Sequence, residues 1–293
     1  MLLLFYLTLI SCQAENLSYF LLTPNQYIYG QDLTYIIKKE DTFVNLAIKF
    51  KIGYNSLILA NSKINPWIPP KGKTIIIPKK VLIPKSFKKI NKGIVINLPE
   101  MRLYFFYNSK KVFVYPISIG KKNKLIPTGI YKIIDKKKDP IWYPPPSIRK
   151  EKPYLPKKIP PGPNNPLGKY VLYLSKKYYA IHGTNILYSI GRRATHGCIR
   201  LYPFHIEELF HMVSINTPVW IVYEPYKIAI ENNKIYIQCF PDIENRIKNP
   251  VFYTIKQIQK LAKGCSYKIE LLKLIQLINK PDGLVHKIGY IIN

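Results

Sequence analysis

The sequence predicts a mainly β protein, in which a β-sandwich or barrel core with one or two short helices is flanked by two smaller units. Three observations support this fold class. Residues 93–223 contain many short β-branched and aromatic runs, separated by proline, glycine or Asn-Ser turn signals. A helical pattern follows them at 203–213. Residues 35–78 and 224–293 mix strand-like and helix-like patterns.

The chain begins with an apolar run that predicts a signal peptide. Residues 2–10 are too few to span a bilayer, and Ala14 offers a small residue for cleavage. We therefore assign residues 1–14 as a signal peptide and expect export, although no Lys or Arg precedes the run. A second interpretation takes Leu9-Ile-Ser-Cys12 as a lipoprotein box, with Cys12 as a lipidated N-terminus.

Residues 35–78 predict a compact unit in the order strand, helix, helix, strand. Asp41 and Thr42 offer N-cap oxygens to the first helix, and Gly53 ends it. The strands are expected at 34–37 and 74–77, and the second helix near 56–60. The following residues, 79–92, are rich in lysine and stiffened by Pro84, which predicts a linker.

The core is expected to contain seven strands and one amphipathic helix. The helix has an apolar face, so His205 and His211, six residues apart, are interpreted as ordinary helix residues rather than ligands. Strands are predicted at 93–98, 101–107, 111–119, 129–134, 169–174, 178–182 and 218–223.

Two segments lie outside this regular pattern. Residues 136–168 are rich in proline and carry Trp142 and Tyr143, so we predict a functional loop that closes over a substrate and excludes water. Residues 224–293 predict a hairpin over 226–238 that turns at Asn232-Asn233, followed by helical spacing around 271–278. The sequence assigns no function to this last segment.

The chain is strongly basic, with 45 Lys and Arg against 16 Asp and Glu and a formal net charge of +29. Nucleic acid is the first partner such a charge suggests. The excess is spread along the chain, however, with no basic helix or aromatic-interleaved RNA motif. We therefore predict no nucleic-acid binding and interpret the lysines as solvated faces, which also suit an anionic polymer.

The stretch 182–201 carries the chemistry. It places His182, His196 and Cys198 in one run, with Gly197 beside the thiol. A thiol is a nucleophile only as thiolate, so an imidazole that takes its proton is its natural partner. Glycine lets a substrate carbonyl approach backbone N–H groups that stabilise an oxyanion. The pattern predicts covalent acyl transfer.

Three other interpretations of this stretch compete with acyl transfer. The first takes Cys198 only as a small buried hydrophobe, but two histidines and flanking glycines argue against that. A zinc site would need a further ligand or water, and His-x13-His-x-Cys lacks the usual paired spacing. A papain-like hydrolase has its Cys before its His, whereas here His182 comes first. We expect no metal and no cofactor.

The same residues resemble a family signature. His182-Gly-Thr-Asn followed by Thr195-His-Gly-Cys-Ile-Arg200 is similar to the motif of the L,D-transpeptidases of bacterial cell walls, and Pro161-Gly-Pro-Asn-Asn-Pro-Leu-Gly168 is similar to the segment that enters their catalytic core. The resemblance implies a periplasmic enzyme that acts on peptidoglycan. It implies a tetrapeptide stem as acyl donor, with release of D-alanine.

The resemblance and the residues together assign roles. Cys198 is the nucleophile, and His182 is the general base, with its other ring nitrogen held by a backbone carbonyl such as that of Gly183. The amides of Gly197 and Cys198 are candidate oxyanion donors. His196 shapes the cleft or assists there. Arg200 pairs with a substrate carboxylate or, equally, holds the loop through an ion pair.

The acyl acceptor stays open at this point. The C-terminal Lys of an outer-membrane lipoprotein, a diaminopimelate of another stem, and water, which would make the protein an L,D-carboxypeptidase, are all compatible with the motif. A wall-binding protein with an inactive site is a further alternative.

Two more features bear on partners. Glu40-Asp-Thr and Pro70-Lys-Gly-Lys resemble a lysin motif, which implies binding to N-acetylglucosamine-containing glycan, although Glu40 replaces the usual glycine. Removal of Cys12 with the signal leaves an odd number of cysteines, so we expect Cys198 unpaired. A periplasmic thiol reductase would protect it, and pairing of Cys239 with Cys265 stays open.

Overall fold

The computed structural model describes residues 19–292, so the predicted signal peptide and Cys12 lie outside the described residues. Within that range, nineteen strands and seven α-helices form the mainly β fold that the sequence predicts. None of the helices described there combines the length and apolar character that a membrane span requires.

The N-terminal module, residues 33–77, has the predicted order of strand, helix, helix, strand. Thr42 Oγ1 accepts a hydrogen bond from the Asn45 amide at 3.1 Å, which confirms the predicted cap. The Asn61 side chain bonds both backbone polar groups of Ile76 at 2.8 Å and so ties the second helix to the last strand. The elements up to this point are β1 (Tyr19–Leu21), β2 (Ile28–Tyr29), β3 (Leu33–Ile36), α1 (Phe43–Lys49), α2 (Tyr54–Ala60) and β4 (Thr74–Ile77).

The segment 79–92 is not a free linker, which corrects the prediction. It forms β5 (Val81–Leu82), antiparallel to β2, and α3 (Lys85–Lys88). Val81, Leu82 and Ile83 are buried, and the Phe87 ring packs edge-on against Tyr104 at 5.5 Å. Four apolar side chains among the lysines bury enough surface to fix the segment, and the lysine content concealed them.

A nine-stranded sheet forms the core, in the order β1-β8-β7-β6-β15-β10-β11-β12-β14. Most neighbours are antiparallel, but β6 with β15 and β12 with β14 are parallel. The elements of this region are β6 (Gly93–Asn97), β7 (Arg102–Asn108), β8 (Lys111–Pro116), β9 (Ile119–Gly120), β10 (Gly129–Lys138), α4 (Pro146–Glu151), β11 (Tyr170–Leu174), β12 (Ala180–His182), β13 (Arg193–Thr195), β14 (Ile199–Arg200), α5 (Pro203–Met212) and β15 (Pro218–Val222).

Helix α5 covers the site end of this sheet. Its Ile206 and Leu209 are buried in the main apolar core. His205 is also buried, with its ring centroid 4.8 Å from that of Tyr115.

The C-terminal unit, residues 226–292, has its own four-stranded sheet and apolar core. The predicted hairpin turn is confirmed, because Asn232 and Asn233 both have positive φ, 50° and 57°. Cys239 is buried, Cys265 is exposed, and both are free thiols. The elements are β16 (Tyr226–Glu231), β17 (Lys234–Cys239), α6 (Pro250–Ala262), β18 (Ser266–Ile269), α7 (Leu271–Asn279) and β19 (Val285–Ile292).

A buried polar cluster joins the C-terminal unit to the core and to the segment 79–92. The ammonium of Lys227, from the C-terminal unit, donates to Glu100 Oε1 at 2.6 Å and to the Leu82 carbonyl at 2.7 Å. Arg102 and Tyr104 bond the same carboxylate. Burial acts to raise the pKa of Glu100, but Lys227 and Arg102 outweigh it and hold that pKa below its ordinary value. The carboxylate is therefore charged and fully paired.

Candidate active site

The predicted site residues meet in one cavity of about 390 Å³ at the end of the core sheet. His182, His196, Cys198 and Arg200 all line it. The other walls come from the proline-rich loop and from two tyrosines near the start of β12. Its full lining is Trp142, Pro145, Pro146, Ser147, Ile148, Pro166, Leu167, Tyr178, Tyr179, His182, Thr195, His196, Cys198 and Arg200.

Parallel strands bring the histidine and the cysteine together. Strand β12 ends at His182, the chain then loops out, and it returns as β14 beside β12, with Ile181 opposite Ile199 and His182 opposite Arg200. Cys198 immediately precedes β14. The residues between His182 and Cys198 therefore form the loop that connects β12 to β14.

His182 is buried, with 3% of its surface exposed. Its Nδ1 lies 2.7 Å from the Gly183 carbonyl oxygen, the contact predicted from the sequence. Since a carbonyl only accepts, Nδ1 carries the proton and Nε2 is left as an acceptor. Burial, helped by the Arg200 charge, lowers the pKa of His182 to about 3, so the ring is neutral at pH 7.

Cys198 lies partly exposed at the cavity wall. Its Sγ donates to the Tyr178 carbonyl oxygen at 3.5 Å. Burial raises the pKa of the thiol, and a backbone hydrogen bond at Ala180 and the Arg200 charge only partly oppose this. The resting site is therefore a neutral thiol with a neutral imidazole in the same cavity, rather than a preformed ion pair.

The amide of Gly197 is engaged within the motif. It donates to Thr195 Oγ1 at 3.0 Å, which leaves the Cys198 amide as the better candidate for the predicted oxyanion role. Thr195 Oγ1 in turn donates to the Cys198 carbonyl at 2.7 Å. Gly197 has φ of +120°, and a Cβ there would lie 2.7 Å from the Tyr179 ring. Its glycine is required by backbone shape and space.

The structure adds a partner for His196 that sequence reasoning missed. Its Nε2 lies 2.7 Å from the carboxylate of Glu151, the last residue of α4. This hydrogen bond, with the charges of His196, Lys124 and Lys121, lowers the pKa of Glu151. Glu151 is the one carboxylate in the sequence between 140 and 168, where lysines and prolines dominate. That isolated negative charge is the sequence signal that could have identified it.

Arg200 faces the cavity with its Nε buried and without a hydrogen-bond partner among the described residues. Among residues 19–292 no carboxylate forms an ion pair with it, so the described part of the chain gives no support to the interpretation as a loop-holding ion pair. Burial lowers the pKa of its guanidinium, and Cys198 opposes this. A partly exposed guanidinium with a buried Nε that lacks a partner among the described residues favours binding of an anionic group.

The side chains that line the cavity define the class of reaction that this site can perform. A thiol, a neutral imidazole and an unpaired guanidinium in one cavity can transfer an acyl group from a substrate that carries a carboxylate. Across residues 19–292, no group of three or more His, Cys, Asp or Glu side chains is arranged to hold a metal ion.

Comparison with known proteins defines the family. The L,D-transpeptidase catalytic domain model matches residues 91–221. The chain is 33% identical to a probable L,D-transpeptidase ErfK/SrfK of Salmonella typhimurium, over 78% of this chain and 75% of that protein. It is 35% identical to a probable L,D-transpeptidase YbiS of Escherichia coli K12, over 92% and 86%. The chain belongs to the L,D-transpeptidase family.

Solved structures of the same family also match. A crystal structure of an Enterococcus faecium L,D-transpeptidase mutant is 21% identical, with a TM-score of 0.36, and the match covers 45% of this chain and 50% of that chain. An L,D-transpeptidase 3 from Mycobacterium tuberculosis is 14% identical, with a TM-score of 0.35, and covers 53% and 73%.

Proposed function

We propose that this protein is a periplasmic L,D-transpeptidase of bacterial peptidoglycan that works through a thioester on Cys198. One observation carries the proposal: Cys198, a neutral His182 and Arg200, whose Nε has no partner among the described residues, line the same cavity. The family supports the overall reaction, and the thiol and imidazole support its covalent route. Export follows from the predicted signal peptide.

The proposed reaction begins with attack of Cys198 Sγ on the carbonyl carbon of the peptide bond between the third residue of a tetrapeptide stem and its terminal D-alanine. His182 Nε2 takes the thiol proton as the C–S bond forms. The Cys198 amide stabilises the oxyanion, and such a donor contributes about 3 kcal/mol. The C–N bond then breaks, the proton passes from His182 to the leaving amine, and D-alanine departs.

An amine resolves the thioester. Its nitrogen attacks the acyl carbon, His182 accepts its proton, the C–S bond breaks and Cys198 is restored as a thiol. Arg200 binds a carboxylate of the stem. The acceptor is a diaminopimelate of a second stem or the C-terminal Lys of an outer-membrane lipoprotein, and the N-terminal module binds the glycan strand. A periplasmic thiol reductase keeps Cys198 reduced.

Intact-mass spectrometry tests the proposal. Residues 15–293 are mixed with a disaccharide-tetrapeptide, with and without a peptide ending in Lys, and Cys198→Ala is the control. We expect loss of D-alanine, an acyl adduct on Cys198, and a product that identifies the acceptor. Hydrolysed stem alone would identify an L,D-carboxypeptidase. A folded, reduced protein that forms neither adduct nor product would favour an inactive wall-binding protein.

A further inference from the structure

The active-site loop, residues 183–197, is where all three units of the chain meet. On its inner side, β13 pairs with β9, and Ser118 Oγ donates to the Ser189 carbonyl at 2.5 Å. Its outer side contacts two further parts of the chain. The N-terminal module and the segment of the C-terminal unit between β17 and α6 both bond to it.

The N-terminal module contacts the loop through the start of α2. The first amides of a helix have no partner within the helix, and here the N-cap residue, Gly53, offers no side-chain oxygen. Carbonyls of the active-site loop take that place. The Tyr54 amide donates to the Ile190 carbonyl at 3.1 Å, and the Asn55 amide donates to the Gly191 carbonyl at 3.2 Å.

Two glycines allow this approach. Gly191 has φ of +82°, and a Cβ on it would lie 2.3 Å from the Tyr54 nitrogen. A Cβ on Gly53 would lie 3.3 Å from the Gly191 Cα. Next to this contact, the Arg192 guanidinium carbon lies 3.5 Å from the centre of the Tyr54 ring. The two backbones therefore touch directly, and a cation–π contact closes one side.

The segment before the C-terminal helices holds the loop at a second point. Arg193 Nη1 donates to the Ile243 carbonyl at 2.9 Å, and Nη2 donates to the Glu244 carboxylate. The Arg193 and Glu244 side chains are only 22% and 18% exposed. Arg193 lies two residues before Thr195, whose hydroxyl bonds the Gly197 amide and the Cys198 carbonyl.

We propose that the N-terminal module and the Ile243–Glu244 segment are positioning elements for the reaction at Cys198. They fix Ile190, Gly191 and Arg193, and through Thr195 they fix the backbone that presents the thiol. The inference rests on the proposed role of Cys198 in catalysis. It gives the two accessory units a part in the chemistry, beyond any binding of glycan.

A proline substitution at Tyr54 separates the backbone hydrogen bond from the side chain. Tyr54 is the first residue of α2 and follows an extended Gly53, a position where proline fits a helix but removes the N–H. Tyr54→Ala, the matched control, loses the ring and keeps the donor. Compared with Tyr54→Ala, we expect Tyr54→Pro to exchange the amides of 186–198 about tenfold faster and to acylate Cys198 about tenfold more slowly at saturating donor.

Glu244→Gln tests the second contact, and Asp282→Asn is its control. Asp282 pairs with His286 in the same unit at comparable exposure, 29% and 27%. We expect Glu244→Gln, and not its control, to speed hydrogen exchange of the amides of 186–198. We also expect it to change the pH profile of Cys198 alkylation by iodoacetamide. Because Cys265 is exposed too, the mass of the modified peptide identifies which cysteine has reacted.

The two possible failures are distinguishable. If Tyr54→Pro and Glu244→Gln match their controls in exchange and alkylation, and differ only in melting temperature, the units stabilise the fold without positioning the loop and the inference is wrong. If the wild-type protein does not turn over the tetrapeptide, the proposed function fails instead. Exchange and alkylation are measured without a substrate and still report the coupling.

Discussion

Arg200 is the residue whose single charge acts on both partners of the site. Burial lowers the pKa of His182 and the Arg200 charge adds to this, so the ring is neutral; the same charge acts against the burial that raises the pKa of Cys198. Its own Nε has no partner among the described residues. The sequence left two roles open for it, and the described residues contain no ion pair with Arg200 that would support the loop-holding role.

Substitution of Arg200 separates charge from shape. Arg200→Lys keeps a cation but loses the planar fork, so we expect the KM for the tetrapeptide to rise about tenfold to a hundredfold with the low pKa of His182 retained. Arg200→Gln also removes the charge, so the pKa of His182 is expected to rise. NMR titration of the ring measures this pKa. An unchanged KM in both variants would contradict a role in substrate binding.

At the residue scale, the motif spacing was sufficient to find His182, Cys198 and the contact of His182 with the Gly183 carbonyl. The reason is that His182 and Cys198 flank one crossover loop, of which Gly183 is the first residue. The engagement of the Gly197 amide by Thr195 was not predictable in the same way. Whether a backbone donor is free depends on a side-chain rotamer two residues away, which no residue pattern encodes.

At the scale of elements, the proline-rich loop is joined to the catalytic motif by one side-chain contact. Its α4 residues Pro146, Ser147 and Ile148 line the cavity, and Trp142 pairs across to Ile159. Glu151, at the end of α4, is bonded to His196, next to the thiol. The loop is thereby fastened to the catalytic motif itself.

Glu151→Gln weakens this fastening without changing the size of the side chain. We expect faster hydrogen exchange in 142–151 and a raised KM, with little change in kcat or melting temperature, because an exposed ion pair contributes little to stability. Glu270→Gln removes a comparably exposed partner, of Lys273, and serves as the control. Equal exchange in the two variants would show that the bond does not hold the loop.

The segment 79–92 shows the limit of composition at this scale. Lysines predict a solvated linker, yet β5 pairs with β2, and Gln238 of the C-terminal unit accepts from the Leu82 amide at 2.9 Å. The partners Ile28 and Gln238 lie 54 residues before and 156 residues after Leu82 in the chain. A local pattern contains no information about them.

For the whole molecule, two buried histidines couple stability to pH. Burial lowers the pKa of both His182 and His205 to about 3. The unfolded chain binds a proton at each near the ordinary pKa of about 6.5, so it holds more protons than the folded chain between these values. Stability is therefore fully present above pH 6.5 and is lost as pH falls from there toward 3.

Denaturant unfolding at pH 7 and pH 5 measures this loss. Each histidine is expected to contribute about 2 kcal/mol of destabilisation at pH 5. His205→Leu removes one titration and a buried, unpartnered Nδ1, so we expect it to lose only about half as much stability over the same interval. A wild-type protein with equal stability at both pH values would contradict the buried neutral state of these rings.

By itself, the sequence determined the fold class, the order of the N-terminal module, the hairpin at Asn232 and the identity of the chemical groups at the site. These depend on periodicity, turn residues and motif spacing, all of which are local. Only the tertiary structure decided that 79–92 is packed, that Glu151 meets His196, and that Gly191 and Arg193 are held by the two accessory units. Each of these contacts joins segments far apart in the chain, and its free energy comes from burial and geometry that exist only after the units have packed together.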